Sequence, residues 1–81
     1  LLNQMTRNVQ DDIKEHLMAT GYKPVDISPS RHFVKRVDRD TLSAVFLAAD
    51  RVSVWEQGKY GQLVGFVRKK TFDEFRAELK I

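Results

Sequence analysis

The chain contains no cysteine, which excludes disulfide staples, thiolate metal sites and thiol nucleophiles at once. A small core without staples fits a reducing compartment, so the expected location is cytoplasmic. Glycine and proline are scarce, four and two residues. No phosphate-cradling spacing such as G-x-G-x-x-G is present, and no serine stands in a glycine-flanked elbow. Long apolar runs are missing as well. The longest, Ala44 to Ala49, is far short of the roughly 20 residues that a membrane-spanning helix needs. The opening residues do not read as a secretory or transit segment, and no membrane association is expected.

What remains is enough for one packed core. Of 81 residues, 42% are apolar and 31% charged, a globular balance rather than a disordered one. A single compact domain over residues 1–81 is expected, with 1–5 either disordered or a remnant of cloning. Fourteen basic residues face eleven acidic ones, a formal net charge of +3. That modest excess permits nucleic acid or an acidic protein surface as partner.

Two helical patterns bracket a strand-rich middle. Met5, Val9, Ile13 and Leu17 recur four apart with polar residues between them, one apolar stripe on a helix near residues 7–20. Gly21 is a natural stop and Pro24 forbids continuation. Residues 23–30 read as a connector, with a short extended segment at 25–27. Strands are expected at 32–37, 42–49, 52–56 and 63–68, with turns at 38–41 and 57–61. The stretch 42–49 is apolar at both parities, which predicts a central strand covered on both sides. Gly65 marks a bulge or a close packing contact. Thr71-Phe72-Asp73-Glu74 matches the capping box, in which hydroxyl and carboxylate each satisfy an orphan backbone N–H. Phe72, Phe75 and Leu79 then form the buried stripe of a last helix. The expected fold is α+β: an N-terminal helix, an antiparallel meander of three to four strands, and a C-terminal helix, both helices on one face.

Asp12 and His16 are four apart on one helix, but no third ligand has a recognisable spacing, so no metal is expected. No cofactor motif is present. His32 follows Ser30-Arg31 at the mouth of a strand, after Gly21-Tyr22-Lys23-Pro24-Val25. Across residues 13–37 this stretch resembles the HicA-type toxin ribonucleases. In those helix–three-strand–helix domains a glycine–aromatic pair ends the first helix, and a Gly-Ser-His motif carries the catalytic histidine on a strand. Here Pro29 stands at the position of the motif glycine, and Arg31 separates Ser30 from His32. The resemblance implies His32 as general acid or base in RNA cleavage. The competing reading is a strand histidine half packed under a loop, and no other catalytic candidate stands out.

The basic residues form two groups. Arg31, Lys35, Arg36 and Arg39 fall within nine positions, and Arg68, Lys69 and Lys70 form a run before the last helix. Arg51 and Trp55 on a neighbouring strand are expected to share the exposed face of the first group. Cations with an aromatic among them suit phosphate neutralisation plus base contact, and the same cations also serve to guard an edge strand. The leading expectation is a non-enzymatic binding or regulatory module that contacts nucleic acid. The alternative is a protein-binding adaptor or inhibitor of the kind phages and mobile elements encode, anchored by Trp55 and Tyr60. A toxin-like ribonuclease is the third reading, and homo-oligomers fit any of them.

Overall fold

The computed structural model describes residues 9–25 and 31–81. Helix α1 (Val9–Ala19) is followed by β1 (Lys23–Pro24), β2 (His32–Arg36), β3 (Thr41–Leu47), β4 (Val52–Gly58), β5 (Leu63–Lys70) and helix α2 (Phe72–Leu79). The five strands form one antiparallel sheet in sequential order. This is the α+β meander between two helices. Four strands are long; β1 adds only two residues, and the Val25 amide continues its pairing with a bond to the His32 carbonyl at 2.8 Å. The extended segment therefore begins at Lys23 rather than at 25, and the remainder of the connector, 26–30, lies outside the described residues. Met5, expected in the stripe of α1, also lies outside them.

Periodicity explains the core. Ile13 and Leu17, one helical turn apart, are fully buried on α1. Phe33, Val45, Leu47, Val52 and Val54 occupy one face of the sheet, and Phe75 of α2 closes the same cluster. Tyr22, Phe72 and Leu79 pack at its margin. Both described helices thus lie on one sheet face. The N-terminal half of α1 is tied down where Gln10 Nε2 donates to the Ala48 carbonyl at 2.9 Å. At its other end Gly21 takes φ +103°, a conformation costly for any residue with a Cβ. The Tyr22 amide then reaches back to the Leu17 carbonyl at 2.9 Å. No described helix is long and apolar enough to cross a membrane.

The cover of β3 differs from expectation. Its doubly apolar sequence predicts cover on both sides, yet the described helices cover only the side of Val45 and Leu47. Ala44 on the other side is nonetheless fully buried. Its cross-strand neighbours are Val34 and Trp55, two larger side chains that flank its methyl group.

The capping box at α2 forms as its sequence indicates. The Glu74 amide donates to Thr71 Oγ1 at 3.1 Å, and the Thr71 amide donates to Glu74 Oε1 at 2.8 Å. The backbone bond from Thr71, and secondarily the Thr71 side chain, holds the Glu74 carboxyl below the ordinary glutamate range. A carboxyl depressed in the folded state contributes stability that is full above its unfolded value and is lost as pH falls through its folded value. Replacing Thr71 with Ala removes the hydroxyl half of the box. The expected cost is about 0.5–2 kcal/mol, read as a lower denaturation midpoint at neutral pH. An unchanged midpoint would show that the cap contributes nothing.

Candidate nucleic-acid interface

Strand register organises the sheet face opposite the helices. Arg36, Leu42, Gln57 and Leu63 form one row across β2 to β5. Val34, Ala44 and Trp55 form the next, and His32, Phe46, Ser53 and Lys69 the third. Ring contacts confirm that the aromatic members share this face. The His32 ring lies 6.3 Å from Phe46, edge on, and 5.4 Å from Trp55. All three are half-buried. No Asp or Glu occupies a paired position in these rows. Arg36 and Lys69 stand at opposite corners, roughly 20 Å apart at about 4.8 Å per strand and 3.4 Å per residue.

The cations named from the sequence separate on folding. Arg36 is exposed on the open face, with its Nη1 donating to the Arg39 carbonyl at 2.8 Å. Arg39 is exposed in the β2–β3 turn, and Lys69 is exposed on β5. Lys35 points the other way: its ammonium lies 5.7 Å from the centroid of the Tyr22 ring, and its stem passes close to Gly21. Alternation on β2 is the cause, since neighbouring residues face opposite sides. Lys70 forms an ion pair with Glu78 of α2. Arg51 pairs with Asp50 at 3.2 Å. Its hydrogen bond and charge hold the Asp50 carboxyl below the ordinary range, and Asp50 raises Arg51 in return. Arg31 is exposed beside β2, its carbonyl accepting from the Leu47 amide at 2.8 Å. Arg68 is exposed on β5 and borders a shallow hollow of about 320 Å³ with Trp55 and Phe66.

The face therefore brings together Arg36, Trp55 and Lys69 from the sequence set and adds His32 and Phe46. Phe46 was missed as a surface residue because a doubly apolar strand reads as core. The available signal was that the sequence carries two helical patterns, and both described helices fit one face. His32 Nε2 is enclosed and has no hydrogen-bond partner among the described residues. The His32 ring packs against both Phe46 and Trp55, and a role as general acid or base would fall to its other ring nitrogen, Nδ1. No group of three or more His, Asp or Glu side chains is placed to hold a metal ion among the described residues. No family model matches the chain, and no curated protein or solved structure matches it. The resemblance across residues 13–37 rests on its motif alone.

Proposed function

We propose that this protein binds single-stranded nucleic acid on the open face of its sheet. The supporting observation is the aromatic group His32, Phe46 and Trp55 in rows whose paired positions hold no Asp or Glu, with Arg36 and Lys69 at the corners. Bases stack on exposed aromatic rings whatever their sequence, at about 1–3 kcal/mol per base. Phosphates need cations beside those rings, spaced for a backbone that crosses the sheet, and platforms of this kind take two or three bases. A duplex hides its base faces, so single strands are the preferred ligand.

Trp55 is the single tryptophan of the chain, and it sits on the platform. Its fluorescence therefore reports stacking directly. Titration with mixed-sequence single-stranded RNA or DNA is expected to quench it, with affinity falling as salt rises. Trp55→Ala should weaken binding, measured by anisotropy of a labelled strand, by about 1–3 kcal/mol. Absence of both quenching and binding near about 50 mM salt would refute the proposal, because phosphate contacts are strongest there.

A further inference from the structure

The sheet has two edges of different character. At one, β1 is two residues long and ends in Pro24, which has no N–H to offer. At the other, β5 runs for eight residues with one side unpaired among the described residues. Nine large apolar side chains are exposed among the described residues, and Tyr60, Leu63, Val64, Phe66 and Val67 account for five. Tyr60 is 82% and Phe66 91% exposed. Such a concentration on an edge strand and the turn before it is a template for strand addition.

From this edge we infer that the protein pairs with a second copy of itself, β5 against β5 in antiparallel sense about a two-fold axis near Gly65. The distribution of charge selects that occupant. Cations are confined to one end of the strand, Arg68 to Lys70. Antiparallel pairing sets Leu63 and Val64 beside Val67 and Phe66 of the copy, so the apolar strip meets itself. It also sets Arg68 and Lys69 against Gln62 and Gly61, and Lys70, whose charge is already met by Glu78, against Tyr60 with Lys59 over its ring. Parallel pairing would align cation on cation, which is destabilising. An acidic peptide would suit only the basic end and leave the apolar strip unmet.

Gly65 fits the axis. Five residues of β5, 64–68, span three of β4, 54–56, and Gly65 absorbs the excess at φ +82°. A Cβ built there meets nothing within 4 Å, so the backbones of two copies can approach closely at that point. An isologous contact of this kind closes after two copies and joins the two sheets edge to edge. The two open faces then lie side by side, and one strand of nucleic acid can engage both, with the gain in avidity that linkage gives.

The test is sedimentation equilibrium on the wild type and on Phe66→Lys, with circular dichroism on each. Phe66 is so exposed that the substitution leaves the protomer folded, while it puts a cation into the apolar strip of both copies. The wild type should be a dimer at about 100 μM, with a melting temperature that rises with protein concentration, as mass action requires. Phe66→Lys should weaken the dimer by at least about tenfold, or 1.4 kcal/mol, with an unchanged spectrum. A further variant, Val64→Lys, should act the same way. A wild type that stays monomeric, forms open-ended assemblies, or dimerises as well with either lysine in place overturns the inference.

Discussion

Leu47→Asp is expected to unfold the protein, whereas Ser53→Asp is expected to leave it folded. Leu47 is fully buried on β3, among the side chains that join the sheet to both helices. A carboxylate there would sit among apolar side chains, because none of the buried residues among those described is polar or charged. Desolvating that charge and losing the apolar contacts together cost several kcal/mol. Small domains hold only about 5–15 kcal/mol in total, and a chain this short stands near the lower end of what one core supplies. Ser53 lies on the open face, between Phe46 and Lys69 in cross-strand register. There a carboxylate keeps its water and gains a cation as neighbour, so the midpoint should move by no more than about 0.5 kcal/mol. Denaturant melts followed by circular dichroism decide between the two positions. Equal stability of both variants would mean that β3 does not carry its core residues on the side of Leu47.

The elements that were legible in the sequence are those with a local cause. The capping box at Thr71–Glu74, the stop at Gly21 and the bulge at Gly65 each follow from a residue type acting on its own backbone. The stripe Ile13–Leu17 and the alternation Val52–Val54 follow from helical and strand periods. What the sequence concealed depends on which elements meet. Nothing local in Lys35 and Arg36 distinguishes a lysine beside Tyr22 from an arginine on the open face; the register of β2 decides it. Likewise Lys69 and Lys70 are neighbours of one charge, yet only Lys70 reaches Glu78. The pairing partner of Lys70 lies eight residues away on α2, and that distance closes only after the helix has docked. Phe46 is apolar enough for a core, yet it lies on the face opposite the described helices. Burial depends on what is stacked above a strand, and strand sequence alone carries no record of that.

The same separation of neighbours yields the last expectation. Arg36→Glu with Lys69→Glu should nearly abolish association with single-stranded nucleic acid, and Lys35→Glu should leave it close to wild type. Arg36 and Lys69 occupy opposite corners of the face that carries His32, Phe46 and Trp55. Both are exposed, so neither substitution removes a core contact. Each exchange changes formal charge by two units, taking the chain from +3 to −1 and placing two anions where phosphates would lie. Losing two phosphate contacts should flatten the dependence of log affinity on log salt by about 1.4, at roughly 0.7 per contact for a single strand. Affinity near about 50 mM salt should fall on the order of 100-fold, from lost attraction and added repulsion together. Lys35→Glu makes the control demanding, because it alters a cation one residue from Arg36 and shifts net charge by two units as well. If binding responded only to overall charge, Lys35→Glu would give about half the effect of the double variant on a logarithmic scale. A face-specific contact predicts a small effect from Lys35→Glu and a large one from the double variant. Titrations of the three proteins against one labelled strand at several salt concentrations, with circular dichroism on each, separate the two. A folded double variant that binds as well as wild type would place the contact elsewhere and remove the open face as the interface.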